Sequence, residues 1–292
     1  MKKTKILIPI YNDWQSVFKL LENIDNELLD WNTGISVLII NDASSEKKPE
    51  NSFVFKNLRS IKIINMKKNK GHARCIATGL KYINEKEDFD FVIPMDGDGE
   101  DRPAELGPLL CKAYENPTMA ITGNRVKRSE GYFFRFCYLF HKFLTFIFTG
   151  QSIKFGNYSC LPKNIVAKMV NEPATWSSFS GSLSKITKDR LSIPSIRGSR
   201  YFGPSQMNFI SLLKHSLSII AVFKTRLLIR SITFLIVYLF LIIEYLSIIM
   251  LIPFFLVLTM ILLTFIISRR ESLSELNSSL DNIDNIDNIK IN

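Results

Sequence analysis

The stretch Phe89-Asp90-Phe91-Val92-Ile93-Pro94-Met95-Asp96-Gly97-Asp98-Gly99-Glu100-Asp101 decides the fold. Its first half is a short apolar run, the mark of a strand covered on both faces. It passes without a spacer into a turn crowded with glycine and carboxylates. In open α/β sheets, ligands bind beyond the carboxyl ends of the strands, which is where such a turn belongs. Upstream the pattern recurs. Lys5 to Ile10 reads as a buried strand running into Tyr11-Asn12-Asp13, and Ile35 to Ile40 as one closing on Asn41-Asp42-Ala43-Ser44-Ser45. Ile61 to Asn65 is a third strand and Met119 to Thr122 a later one. Between them Val17, Leu20, Leu21 and Ile24 recur at helical spacing, and Gly71 to Tyr82 and Ala104 to Tyr114 read as further helices. This alternation predicts an α/β fold, a mostly parallel sheet with helices on both faces.

The polar residues at these strand ends suggest chemistry. Asp96 and Asp98, two residues apart on irregular backbone, suit one hard cation, Mg²⁺ or Mn²⁺, that leaves positions open for a diphosphate. Glu100 and Asp101 add oxygen donors. Asp42 suits a hydrogen bond from a nucleobase or ribose, and equally a turn or helix cap. Asn69-Lys70-Gly71-His72-Ala73-Arg74 opens a helix, whose start favours anions; Lys70 and Arg74 suit phosphate, and His72 reads as a surface residue.

The rest of the chain points to a membrane. Of the 292 residues, 47% are apolar, an ordinary share, but Leu227 to Ile267 is one long apolar block whose charges are Arg230 and Glu244. Its length predicts two transmembrane helices reversing near Pro253, with Glu244 inside the first, either functional or a snorkelling or helix-paired carboxylate. Lys224, Arg226 and Arg230 before the block and Arg269 and Arg270 after it put both outer ends, and the catalytic domain, in the cytoplasm. Tyr132 to Phe148, aromatic but broken by Arg135, His141 and Lys142, reads as an interfacial helix or a buried core helix, and Asn208 to Arg230 as a second interfacial helix. The expected layout is a catalytic domain over 1–206 (with the interfacial segment at 132–148), an amphipathic helix over 207–230, two transmembrane helices over 231–268 and a disordered cytoplasmic tail over 269–292. The net charge of +10 suits phosphates and anionic lipid headgroups. A nucleic-acid partner fits neither the apolar hairpin nor the acidic strand end. Cys75, Cys111, Cys137 and Cys160 lack CxxC spacing, so neither a zinc site nor a disulfide framework is expected.

Ile8-Pro9-Ile10-Tyr11-Asn12, Asn41-Asp42-Ala43-Ser44, Asn69-Lys70-Gly71 with Ala73, and Asp96 to Pro103 together resemble the ordered motifs of family 2 inverting glycosyltransferases of the GT-A (Rossmann-like) fold. More closely, residues 4–268 resemble polyprenyl-phosphate glycosyltransferases of the dolichyl-phosphate mannose synthase type, which often carry two C-terminal membrane helices. The resemblance implies that Pro9, Tyr11, Asn12, Asp42, Lys70 and Asp96 bind the nucleotide of a UDP- or GDP-sugar. It implies that Asp96, Asp98 and Glu100 hold the metal, and that Asp98 and Arg125 are catalytic. Arg125, Arg128, Arg200 and Ser205 fall with the acceptor phosphate. The sequence departs from that group at Asn41, at Gln206 and across Lys154 to Cys160, where an expected Asp is missing. A Glu-Asp pair able to deprotonate a sugar hydroxyl is not evident late in the domain. That favours polyprenyl phosphate, already ionised, over the alternative acceptor, a hydroxyl of a lipid-linked saccharide. A homo-oligomer is left open.

Overall fold

β1 (Lys3–Ile10), β2 (Gly34–Asn41), β3 (Ser60–Met66) and β4 (Phe91–Pro94) pair in parallel, with β1 between β2 and β4. Every residue of β2 and β4 is buried, in keeping with sequences that are apolar apart from Ser36 and Asn41. The computed structural model describes residues 2–28, 34–49, 54–127, 143, 145–204 and 209–289. They fall into two compact units, one built from 1–129, 154–206 and 272–292, the other from 130–153 and 207–271.

In the first unit the sheet continues through β5 (Ala120–Lys127), β6 (Phe155–Pro162), β7 (Arg190–Ile196) and β8 (Ile283–Ile289), in the order β7-β5-β6-β4-β1-β2-β3-β8. β6 runs antiparallel to β4 and β5, β8 antiparallel to β3, and β7 parallel to β5. The α/β class and mostly parallel sheet expected from sequence are therefore present. Side chains leave a strand alternately, so each strand feeds two cores. Ile6, Ile8, Ile39 and Ile63 pack beneath α1 (Trp14–Glu27) and α3 (Leu106–Glu115), where Val17, Leu20, Leu21, Ile24 and Leu109 are buried. Leu7, Ile40 and Ile64 point the other way, onto α2 (His72–Lys86), α4 (Lys163–Met169) and α5 (Phe179–Ile186). Each such side chain contributes about 1.5–3 kcal/mol. From β1 the order steps through β2 to β3 on one side and reaches β4 on the other. The carboxyl ends of β1 and β4 therefore flank a topological switch point.

The second unit holds α6 (Phe209–Ala221), α7 (Lys224–Ile242) and α8 (Ile248–Ser268). α7 with the turn after it, and α8, are long and apolar enough to cross a membrane. Phe148, Ile220, Leu227, Leu235 and Val257 form this unit's core. Lys224 pairs with Glu271 at 3.0 Å, tying the start of α7 to the end of α8. Two expectations are corrected here. The continuous helix expected up to Arg230 is broken at Val222-Phe223. The reversal lies at Ile243–Tyr245 rather than near Pro253, which sits inside α8. Ser247 explains the position: its Oγ accepts the Met250 N–H at 3.3 Å and starts the new helix. Glu244 consequently occupies the turn that ends the first candidate span, Lys224–Tyr245. Of the interfacial helix expected at 132–148, residues 132–142 and 144 lie outside the described residues, and 145–149 are helical.

The tail is corrected more thoroughly. Rather than disordered, it forms α9 (Leu273–Asn277), a 3-10 turn (Ser279–Asn282) and β8. Leu276 is fully buried against Ala77 and Trp176, and the Trp176 indole N–H donates to Glu275 at 2.8 Å. Backbone pairing with β3 satisfies what would otherwise be a bare sheet edge.

Candidate active site

The acidic turn leaves β4 at the switch point. The Met95 N–H still bonds to Leu7 O at 2.9 Å, so Asp96 begins where the ladder with β1 stops. Asp96 accepts hydrogen bonds from its neighbours: Asn157 Nδ2 on β6 lies 3.2 Å from Oδ1, and His72 Nε2 at the start of α2 lies 3.2 Å from the same oxygen. Burial opposes its charge, yet the His72 charge and hydrogen bond, then Arg125 and Asn157, hold its carboxyl below the usual range. The reciprocal effect holds His72 above the ordinary imidazole value: burial opposes the charged ring, and Asp96, then Asp101 and Asp98, outweigh it. Asp101 is buried and accepts the Asp96 N–H at 2.9 Å. Burial, then the Asp96 charge, push it up to about 8. Burial and Asp96 also raise Asp98, against the Glu100 N–H and Arg200.

A second segment closes over this turn. Gly198 N–H donates to Glu100 O at 2.8 Å and Tyr201 N–H to Asp98 O at 2.9 Å. Gly99 sits at φ +91°, where only glycine is unstrained, and a Cβ there would lie 2.5 Å from the Tyr201 ring. Arg197 pairs with Glu100, while the Arg200 guanidinium spans Asp98 at 2.7 Å and Asp13 at 2.8 Å. Glu105 fixes the base of this segment, accepting from Ser195 Oγ at 2.7 Å and Ile196 N–H at 2.8 Å. Arg125 on β5 reaches across Gly156, and its charge bears on both Asp96 and Asp101.

The other sequence-chosen residues line the ends of β1 and β2. Tyr11 is half-exposed and Pro9 buried. Asn12, at φ 53°, donates its N–H to Ser44 Oγ and its side-chain amide to Ser45 Oγ, both at 2.9 Å. Asp42, expected to meet a base or ribose or else to hold a turn, is buried, with one oxygen accepting the Lys70 N–H and the other the Gly71 N–H, each at 2.7 Å. It fastens the turn that opens α2, and the Lys70 side chain stays exposed. Arg128 and Ser205 lie outside the described residues. Sequence reading passed over Asp13, His72 and Asn157 as working members of the site. Asn157 stands in the stretch where an Asp was missed, and only its arrival on β6 beside Asp96 reveals it.

The donor set suits a divalent cation. Asp98 and Asp101 are both pushed toward protonation, by burial first and then by neighbouring carboxylates, and a cation relieves that crowded charge. Mg²⁺-type ions are held by one or two carboxylates plus substrate phosphates, which matches Asp96 and Asp98. Glu100 is turned to Arg197, and among the described residues no three His, Cys, Asp or Glu side chains gather as a ready-made cage.

The sequence profile described as "Glycosyl transferase family 2" matches residues 5–166, more than half of the chain and the whole path from β1 through β6. The chain belongs to glycosyl transferase family 2. It is accordingly a nucleotide-sugar-dependent glycosyltransferase. Solved structures agree on the fold. Mannosyl-3-phosphoglycerate synthase from Rubrobacter xylanophilus matches with a TM-score of 0.56 at 13% identity, over 77% of this chain and 74% of that one. Glucosyl-3-phosphoglycerate synthase from Mycobacterium tuberculosis, in complex with Mn²⁺, UDP and phosphoglyceric acid, matches at 0.55 and 10% identity, over 77% and 78%. A mannosyltransferase from Pyrobaculum calidifontis, in complex with GDP-Man and Mn²⁺, matches at 0.52 and 14%, over 96% and 87%. At these identities the likeness is one of fold, the GT-A architecture.

Proposed function

We propose that this chain is a metal-dependent inverting glycosyltransferase that moves a sugar from a UDP- or GDP-sugar to polyprenyl phosphate at a membrane surface. The observation that carries it is the meeting of Asp96 and Asp98 with Arg125 and Arg200 at the β1/β4 switch point. Carboxylates for a cation and forked guanidiniums for phosphate are what two phosphate-bearing substrates require. The structural neighbours that hold Mn²⁺ with UDP or GDP-mannose support a divalent metal and a nucleotide donor.

Asp96 and Asp98 would hold the metal, which would supply Lewis-acid neutralisation of the leaving diphosphate. His72 and Asn157 orient the Asp96 carboxylate. Tyr11, Asn12 and the 42–45 loop, with Pro9 beneath, face the nucleotide, and Lys70 its phosphates. Asp42 serves the nucleotide by holding the Lys70-Gly71 turn. An oxygen of the acceptor phosphate forms the new bond to the anomeric carbon as the bond to the diphosphate breaks, which inverts the centre. Arg125 and Arg200 steady the acceptor's charge, a role the family resemblance also gives Arg128 and Ser205, so no general base is needed. The α7–α8 hairpin lies in the bilayer, with Lys224, Arg226, Arg230, Arg269 and Arg270 at cytoplasmic headgroups.

The full-length protein, given radiolabelled UDP- and GDP-sugars, Mn²⁺ and undecaprenyl phosphate, is expected to form a mild-acid-labile glycolipid. Asp98→Ala removes both that product and Mn²⁺-dependent thermal stabilisation. Label found only on a pre-glycosylated lipid overturns the phosphate acceptor.

A further inference from the structure

An unbroken side-chain ladder crosses from the last strand of the chain to the edge of the candidate active site. Asn41 on β2, Asn65 on β3 and Asn285 on β8 are direct cross-strand partners. Asn65 Nδ2 donates to Asn285 Oδ1 at 2.6 Å and to Asp287 Oδ2 at 3.0 Å. Its amide is thereby turned so that Oδ1 faces β2, where it accepts from Asn41 Nδ2 at 2.8 Å. The Asn41 amide is fixed in turn, and its Oδ1 accepts the Ser44 N–H at 3.1 Å. Ser44 Oγ then accepts the Asn12 N–H at 2.9 Å. The directions agree from both ends: the Ser44 N–H can only donate, which sets the Asn41 amide, and Asp287 sets the outer end. A carboxylate accepts and never donates, so Asp287 dictates which end of the Asn65 amide looks outward, and Asn65 dictates the same for Asn41.

The ladder ends on strained backbone. Asn12 and Ala43, at φ 53° and 56°, occupy the left-handed region that non-glycine residues enter only when held there. Asn41 is 8% exposed, so its amide has little water to turn to if the pattern is lost. The ladder also accounts for an amide rather than a carboxylate at 41. With Asn65 presenting an oxygen, position 41 must donate on that side and accept on the other, which an amide does and a carboxylate does not.

We propose that Asn285 and Asp287 of the C-terminal strand are positioning residues for nucleotide binding, setting the Asn12 and 41–45 loops through Asn65 and Asn41. This rests on the reading of those loops as the nucleotide contact. The β3–β8 pair is otherwise a plain sheet edge, and the backbone pairing of β8 needs no particular side chains at these two positions. Net hydrogen-bond contributions of this kind correspond to about threefold to tenfold in affinity.

The test uses the full-length protein in detergent with Mn²⁺, titrated calorimetrically with UDP and GDP, alongside steady-state kinetics. The Asn285→Ala/Asp287→Ala double variant is expected to bind the preferred nucleotide about threefold to tenfold more weakly and to raise donor KM by the same factor. Its kcat and thermal midpoint should stay near those of the parent. Asp287→Asn, which still offers an acceptor, should restore most of the affinity. Ile289→Ala removes an apolar anchor of the same strand and serves as the control, lowering the thermal midpoint without altering nucleotide affinity. Equal affinity in the double variant and a nucleotide-binding parent overturns the proposal, as does a loss matched by Ile289→Ala. A parent that binds neither nucleotide overturns the nucleotide reading itself and this inference with it.

Discussion

Replacing Asp42 by Asn separates two roles for that residue. Asp42 is 3% exposed, and its two oxygens accept the N–H groups of Lys70 and Gly71, each at 2.7 Å. Asn keeps the shape but offers one acceptor. Its amide nitrogen must then face a backbone donor, so one charge-assisted bond is lost and the other becomes neutral. Hydrogen bonds to charged groups contribute about 1.5–3 kcal/mol each, and neutral ones about half that. The expected destabilisation is about 2–4.5 kcal/mol, or a fall of about 5–15 °C in Tm for a unit of this size. Thermal unfolding by circular dichroism, with donor KM measured at 10 °C where the variant stays folded, checks it. If Asp42→Asn keeps its Tm and raises donor KM about tenfold, the carboxylate is gripping the nucleotide directly and the reasoning from its buried hydrogen bonds is wrong.

Glu87 gives a pH-dependent case: burial opposes its charge, but Lys5 at 2.8 Å and Lys62 at 2.5 Å hold it below its ordinary 4.5. A lowered carboxyl stabilises above the unfolded value and loses that contribution as pH falls through the folded one. Glu87→Gln should therefore cost about 1–2 kcal/mol in urea unfolding at neutral pH, and the gap to the parent should close on acidification below 4.5. Gly99→Ala adds strain at φ +91° and drives a methyl into the Tyr201 ring, so activity should fall at least about tenfold; full activity would detach that packing from catalysis. Leu256 is 64% exposed near the middle of α8, and Leu256→Arg should cost about 2.5–3.5 kcal/mol of membrane insertion and deplete the carbonate-resistant pellet. Unchanged partitioning would mean that this face does not meet lipid.

Sequence pattern revealed the first four strands because parallel strands covered on both sides read as unbroken apolar runs. It failed where that physics does not apply. β6, with Gly156, Asn157 and Ser159, and β7, with Pro194, carry too many polar or turn-forming residues to stand out. The tail repeats Ile every third residue at 283, 286 and 289, a period matching neither helix nor strand. A bulge opposite Asn65/Met66 resolves it, letting Ile283 and Ile289 reach the two different cores while Ile286 stays exposed. The hairpin was legible by length alone. Its reversal is set by the Ser247 cap, three residues after Glu244, rather than by the proline, which a helix tolerates at Pro253. At the site, the acidic turn was plain from its position after a strand. Of the partners of its carboxylates, Arg200 was named through the family resemblance, but His72 and Asn157 come from other segments and no local pattern announces their contact with Asp96.

The return of residues 283–289 to β3 also sets a rule of parity. A chain that departs from a sheet and later rejoins it must traverse any barrier in between an even number of times. One crossing would strand the last seven residues of the sheet on the wrong side, so α7 and α8 both cross or neither does. During synthesis the outer edge of β3 stays unpaired until both helices have left the ribosome. Completion of the sheet thus acts as a built-in report that the hairpin has been made and turned back, and a chain cut short at 271 would keep an open, sticky edge.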